Sequence, residues 1–167
     1  MGRYRAPTAK ASPYITAEGY TVLDAEQQQL WQRRKVVTKA LSAAAAEGDR
    51  SENAEYIYRK KELREIDRRI RYLQKRLPDL TIVSEKPSDQ SRVYFAAWVS
   101  LEDDHGLPRC VRIVGADEHD HDKAYISMDA PMAKALMRKA VDDEVIVLTP
   151  QGTVTYWIIK IDYDEGC

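Results

Sequence analysis

Two long stretches of this 167-residue chain carry seam residues in alternating steps of three and four, with a single glycine between them. In the first, Tyr20, Leu23, Gln27, Leu30, Arg34, Val37, Leu41 and Ala44 keep that spacing; in the second, Leu63, Ile66, Ile70, Leu73 and Leu77 keep it. Such alternation is the a/d seam of a coiled coil. Neither Gly nor Pro interrupts residues 20–47 or 50–77, and Gly48 is the break. A turn of two or three residues forces the helices antiparallel. Arms of roughly 28 residues, at about 1.5 Å rise each, make a hairpin ~40 Å long. Gln27 and Arg34 are polar seam positions, which either fix the register or mark where the helices splay.

The turn itself reads Glu47-Gly48-Asp49-Arg50-Ser51-Glu52-Asn53-Ala54-Glu55-Tyr56. It sets the carboxylates Asp49, Glu52 and Glu55 at the far end of the rod. A rod with acid at its tip is poorly suited to enclosing an active site and well suited to carrying carboxylates into another protein's site. Asp49 and Glu52, spaced i and i+3, also form a capping box, with Asp49 at the N-cap and Glu52 at N3. Ser51 is an alternative cap that leaves Asp49 free.

Charge is distributed unevenly. Residues 1–49 carry 7 basic and 5 acidic groups, residues 50–78 carry 10 and 5, and residues 79–167 carry 9 and 17. A basic rod joined to an acidic body implies two different contact surfaces. No apolar run approaches the roughly 20 residues that span a bilayer, and no apolar signal core opens the chain. Cys110 and Cys167 stand far apart, which predicts reduced thiols and a cytoplasmic protein, with Cys110 a core residue among apolar neighbours.

The remaining chain divides by period and punctuation. Residues 1–13 read as a flexible basic lead, residues 14–78 as the hairpin with its acidic tip at 48–55, and residues 79–167 as a second domain. Thr16 is placed to cap the first helix, and Leu77-Pro78 ends the second. Residues 92–101 and 109–114 are strand-like, with Glu102–Gly106 as their turn. Residues 130–140 form a short helix with Asp129 as cap and Pro131 in its first turn. Two more strands lie at 144–148 and 153–163. The expected class is therefore α+β: an antiparallel coiled-coil hairpin, then a small, mostly antiparallel sheet domain with one short helix.

Other clusters are weighed on the same footing. Arg59, Lys60, Lys61, Arg64, Arg68, Arg69 and Arg71 either form a solvated face with i, i+4 partners or a strip that grips phosphate. Tyr56 and Tyr58 stack on a base or pack near the tip. Asp117-Glu118-His119-Asp120-His121-Asp122 has metal-ligand residue types, yet it reads as a solvated acidic loop. Neither a nucleophile–base arrangement nor a glycine-rich phosphate loop is present.

Several motifs, in order, carry a family resemblance. Gly48-Asp49-Arg50-Ser51-Glu52-Asn53-Ala54-Glu55-Tyr56 and Arg64–Arg69 resemble the hairpin of bacterial Gre transcript-cleavage factors. Arg92–Val99, Arg112-Ile113-Val114-Gly115 and Tyr125–Leu136 resemble that family's C-terminal domain. The basic second helix and the Arg-Ile-Val-Gly element are nearer the GreB branch than the GreA branch. The resemblance implies an FKBP-like second domain and bacterial RNA polymerase as partner. The hairpin is then expected to enter the polymerase secondary channel and stimulate cleavage of a backtracked RNA 3′ end. Asp49 and Glu52 would direct a Mg2+ shared with the polymerase, with Glu55 in support. By the same resemblance, Ser127, Asp129, Pro131 and Met132 dock on the channel rim. The basic strip Arg59, Lys60, Lys61, Arg64, Arg68 and Arg69 meets the RNA, and any contact with DNA of the elongation complex lacks sequence specificity. The protein would act as a monomer that lends carboxylates rather than as an enzyme. Two alternatives remain: a channel-entering inhibitor of the same shape and, from the FKBP-like fold alone, a peptidyl-prolyl isomerase.

Overall fold

The computed structural model describes residues 10–48 and 52–167. It divides into two compact units: Tyr20–Leu80, and a second made of the chain up to Gly19 together with Thr81–Cys167.

The first unit is the hairpin. Helix α1 spans Ala17–Ala46 and helix α2 spans Ala54–Arg76. The seam is buried as its spacing requires: Leu23, Val37 and Ala44 on α1, Ile66, Ile70 and Leu73 on α2, and Leu77 at the C-cap of α2. Val37 packs with Ile66 and Ile70, flanked by Leu30 and Leu63. Polar contacts confirm the antiparallel sense. Ala44 meets Asn53, Arg33 meets Glu62, Arg34 meets Asp67 and Glu26 meets Arg69, so partners climb α2 as they descend α1. The polar seam residue Arg34 donates through Nε to Asp67 at 2.7 Å, which fixes the register there. Burying one large aliphatic side chain contributes about 1.5–3 kcal/mol, whereas a half-exposed ion pair contributes roughly 0.2–1 kcal/mol. The seam therefore holds the hairpin, and the ion pairs choose its alignment.

In the second unit, β1 (Tyr14–Thr16) pairs in parallel with β2 (Thr81–Val83). A five-stranded sheet follows, ordered β5-β4-β3-β7-β6. It comprises β3 (Trp98–Asp103), β4 (Pro108–Val114), β5 (Tyr125–Ser127), β6 (Glu144–Thr149) and β7 (Gly152–Asp162). Every pairing in this sheet is antiparallel except β4 with β5. Alternate residues point inward: Val99 and Leu101, Val111 and Ile113, Val145 and Val147, Tyr156 and Ile158. Met132, Ala133 and Leu136 of helix α3 (Pro131–Leu136) close the core on that face.

Several expectations are corrected. Ser12 and Pro13 of the supposed flexible lead are engaged: Pro13 O accepts from Thr81 N at 2.8 Å, and Ser12 N donates to Asp129 at 2.8 Å. Residues 14–19 fall with the sheet unit rather than with the hairpin. The helix expected over 130–140 stops at Leu136, because Arg138 takes φ 67° and its N–H donates to Val93 O at 2.7 Å. The same pairing, completed by Val93 N to Lys139 O at 2.8 Å, and a turn closed by Ala97 N to Tyr94 O at 3.2 Å with Ala96 at φ 68° keep residues 92–97 out of β3. Tertiary hydrogen bonds override local propensity in both places.

The acidic loop is not wholly solvated. Glu118 is 1% exposed, and its carboxylate accepts from Thr16 N (3.0 Å), Thr16 Oγ1 (2.6 Å) and Gly115 N (2.7 Å). A buried carboxylate is tolerable only when its acceptors are filled in this way. Thr16 Oγ1 in turn accepts from Gly19 N, so Thr16 does cap α1. A Cβ on Gly19 would sit 1.7 Å from Glu118 Oε2, which leaves glycine as the residue that fits.

Cys110 is likewise corrected. Val111 and Ile113 take the inward positions of β4, so Cys110 faces outward and is half-buried. It forms a disulfide with Cys167, with Cα atoms 5.9 Å apart, in place of the two free thiols expected.

Candidate functional site

The hairpin tip is organised by Asn53. Its Oδ1 accepts from Tyr56 N at 3.0 Å, the N-cap bond of α2, while its Nδ2 donates to Ala44 O at 2.8 Å. One side chain thus satisfies an orphan donor of α2, adds a second donor to Ala44 O in the last turn of α1, and ties the two helix ends together. Neither Asp nor Ser carries both a strong acceptor and an amide donor. The cap accordingly lies at Asn53, not at Asp49 or Ser51 as the capping-box reading has it. Asp49, Arg50 and Ser51 lie outside the described residues. Gly48 takes φ 135° with open space around it, so backbone conformation alone calls for glycine there.

With the cap at Asn53, Glu52 precedes the helix and is not its N3 residue. It is exposed and unpaired among the described residues. Glu55 lies in the first turn of α2, where the helix dipole favours negative charge, and accepts from Arg59 Nε at 2.7 Å. Hydrogen bonds to Glu55 and then Glu62 hold the Arg59 guanidinium even more firmly protonated than usual. Burial alone would push the Glu62 carboxyl up, but hydrogen bonds from Arg33 and Arg59 outweigh it and hold Glu62 below its usual value.

The basic residues sort into two groups. Arg59 is held by Glu55 and Glu62 and lies 5.4 Å over the Tyr58 ring. Arg69 is bidentate to Glu26 at 2.7 and 2.8 Å and lies 5.3 Å over Tyr72. Lys60 sits 5.7 Å over the half-buried Tyr56. By contrast, Lys61, Arg64 and Arg68 are exposed and have no ion-pair partner among the described residues. With Arg71 and Lys75 they step by 3, 4, 3 and 4, a stripe on the face opposite the seam. Spacing finds the acids of Arg59, Glu55 four residues before and Glu62 three after, but not Glu26 on α1, which holds Arg69.

The four docking candidates are also redistributed. Asp129 does not cap α3; the N-cap is Ala130, with no side-chain bond. The Asp129 carboxylate instead receives Ser12 through both its N–H and its hydroxyl. Ser127 Oγ accepts from Asp129 N at 3.1 Å. Pro131 is exposed, whereas Met132, expected near an exposed end, is 8% exposed and belongs to the core. Pro131 and Met132 border a mostly apolar groove of about 290 Å³ with Ile126, Val147, Leu148 and Tyr156.

Among the described residues, no group of three or more His, Cys, Asp or Glu could hold a metal ion, and no helix is long and apolar enough to cross a membrane. Residues 13–82 match the family model for the N-terminal part of the GreA/GreB transcription elongation factors, and residues 87–163 match that for the C-terminal part. The chain belongs to the GreA/GreB transcription elongation factor family. Within it, the transcription elongation factor GreB of Pseudomonas aeruginosa is 54% identical over 164 residues, covering 98% of each chain. That of Yersinia pestis is 56% identical over 153 residues, covering 91% of this chain and 90% of the relative. Among solved structures, GreA factor homolog 1 of Thermus thermophilus is 26% identical, covers 89% of this chain and 97% of that one, and has a TM-score of 0.41. The chain is thus a transcription elongation factor of this family, in which a helical hairpin precedes a small mixed sheet unit.

Proposed function

We propose that the protein enters the secondary channel of bacterial RNA polymerase and stimulates Mg2+-dependent cleavage of the 3′ end of backtracked RNA. The observation that carries this reading is the tip. Asn53 takes over the capping of α2 and leaves the Glu52 carboxylate exposed, with no partner among the described residues, at the end of the hairpin. Carboxylate oxygen suits a hard cation, so Glu52, with Asp49 beside it in sequence, fits a share of a Mg2+ site. Glu55, already paired with Arg59, supports the tip charge from the second rank. Two carboxylates in water do not hold Mg2+ tightly, and the polymerase active centre supplies the other ligands. When bound there, the ion neutralises charge on the phosphodiester undergoing hydrolysis. On this reading the chain is no enzyme by itself, and it acts as a monomer in the cytoplasm.

The hairpin's own residues do the rest. The seam packs the two helices along the rod, and Asn53 ties Ala44 near the end of α1 to the first turn of α2. Lys61, Arg64 and Arg68 offer unneutralised charge to the phosphates of the extruded strand. The Pro131 edge and its groove offer a modest, reversible contact to the channel rim, with Ser127 and Asp129 shaping that edge from within. Any contact with DNA is without sequence preference.

The deciding experiment incubates the protein with a stalled, backtracked elongation complex and Mg2+ and follows the RNA from its 3′ end. Shortening that needs both protein and polymerase supports the reading. Cleavage of naked RNA by the protein alone, or stalling without cleavage, overturns it.

A further inference from the structure

The outward face of the sheet carries chemistry that transcript cleavage does not use. Trp98 of β3, Arg112 of β4 and Tyr125 of β5 lie in one row across it. The Arg112 guanidinium stands 5.4 Å from each ring and donates to Tyr125 Oη at 3.0 Å. The segment after β7 folds back over this row. Asp162 Oδ1 accepts from Asp164 N and Glu165 N, Lys86 pairs with Asp164, and a Cβ on Gly166 would lie 3.6 Å from the Trp98 ring. The disulfide from Cys167 to the outward-facing Cys110 pins the segment there. Neither sulfur belongs to the core on the opposite face, which is closed by β3, β4, β6, β7 and α3. The bond therefore holds one short segment and not the sheet, and Cys167 is exposed to small thiols.

We propose that Cys110 and Cys167 form a reversible thiol–disulfide site, exchanging with low-molecular-weight thiols and disulfides of the glutathione class, whose opening releases residues 164–167 and uncovers Trp98. In closing, the Cys167 thiolate attacks one sulfur of oxidised glutathione. That S–S bond breaks, one glutathione thiolate leaves, and a mixed disulfide remains. The Cys110 thiolate then attacks the Cys167 sulfur, the ring forms, and the second glutathione leaves. Two cysteine thiols are oxidised by two electrons, one glutathione disulfide is reduced to two thiols, and the protons pass between them. Opening is the reverse, with reduced glutathione as the reductant. An exposed disulfide is of the labile kind, and in a reducing compartment such a bond is transient and redox-sensing. With the ring open, the exposed Lys86–Asp164 pair and the Asp162 turn are what remain to hold the segment, and a surface ion pair contributes little.

The test uses the full chain. Reduced protein is equilibrated without oxygen in mixtures of reduced and oxidised glutathione, quenched with acid, alkylated and weighed intact. In parallel, Trp98 emission is followed in a Trp31→Phe, Trp157→Phe background. The expected result is one transition between no alkylated cysteine and two, with the Trp98 signal changing at the same ratio and the change lost in Cys167→Ser. Cys167→Ser alters an exposed residue outside the core, so it keeps the sheet. A ring that stays closed at every ratio is a permanent staple and overturns the proposal. So does a pair alkylated at every ratio, accumulation of a glutathione mixed disulfide without the ring, or a Trp98 signal indifferent to the ring.

Discussion

The two units spend their carboxylates differently. In the sheet unit, acids accept from the backbone: Asp103 from His105 and Leu107, Asp122 from Ala124, Asp143 from Ala140, Asp129 from Ser12, and Glu118 from Thr16 and Gly115. In the hairpin, Glu26, Glu55, Glu62 and Asp67 accept from guanidinium groups instead. A sheet connected by irregular loops has many unpaired N–H groups to satisfy, whereas a long helix satisfies its own. Its acids are free for side-chain partners or, as with Glu52, for something outside the chain. These acids of the sheet unit are thus structural, whereas Glu52 at the tip is left available for chemistry.

The largest effect should come from the tip. Glu52→Gln or Asp49→Asn is expected to lower the maximal rate of stimulated cleavage on the order of 100-fold, as removal of one charge-stabilising group does. Half-saturation by the factor should barely move. Normal cleavage by either variant at saturation would mean that these acids serve only the turn, and the contrast between the units would collapse.

Asn53 comes next, because it joins the helix ends on either side of those acids. Asn53→Ala removes the cap and the cross-tip bond, each contributing about 1 kcal/mol. Asn53→Asp keeps the cap acceptor and loses the amide donor to Ala44. Both variants should slow cleavage roughly 10-fold, as loss of a group that orients metal ligands does, with unchanged polymerase affinity and a raised Mg2+ requirement. If Asn53→Asp cleaves like the parent, the bond to Ala44 does not position the tip.

Much of this comparison is legible in the sequence, and the limits are instructive. The hairpin follows from one-dimensional spacing, since a seam on two helices joined by a short turn has few ways to close. Alternation places strands at 92–101, 109–114, 144–148 and 153–163; three of the four fall within two residues of the observed strands, while the first starts six residues too early. What escapes is non-local. β1 and β2 have three residues each, too few to show a period, and pair across a sequence gap that spans the hairpin. The burial of Glu118 depends on Thr16, 102 residues away. The disulfide depends on a fold-back over 57 residues that two widely separated cysteines do not advertise. At the tip, Asn53 was findable, because asparagine is as good an N-cap as aspartate or serine. Its second bond to α1 was not, since that needs the helix ends brought together.

A smaller effect should separate the two groups of basic residues. Replacing Lys61, Arg64 and Arg68 with Gln leaves the ion pairs of the hairpin untouched. It should weaken rescue of deeply backtracked complexes several-fold more than that of shallow ones. If all three meet phosphate on a single strand, the salt dependence should flatten by about 2 in logarithmic slope. Replacing Arg59 or Arg69 should chiefly lower hairpin stability, read by thermal melting, because their charge is already matched by Glu55, Glu62 and Glu26. Equal loss on deep and shallow substrates, with an unchanged salt slope, would leave the stripe merely solvated.

The smallest effect is expected at the sheet unit's own contact. A fragment of residues 80–167 is a poor probe of docking, because it removes β1 from β2, Thr16 from Glu118 and Ser12 from Asp129. Point changes in the full chain avoid this. Pro131→Ala trims an exposed ring beside the apolar groove and leaves Met132, Ala133 and Leu136 in the core. Its loss should raise the factor concentration needed for half-maximal cleavage by less than about 10-fold, a difference below roughly 1.4 kcal/mol, at an unchanged maximal rate. Asp129→Ala should also release Ser12 and so loosen the segment before β1, visible as faster amide exchange at Thr81, whose N–H bonds Pro13 O. A fall in maximal rate at constant half-saturation in Pro131→Ala would place docking elsewhere and give the sheet unit a share in the chemistry that the carboxylate comparison reserves for the tip.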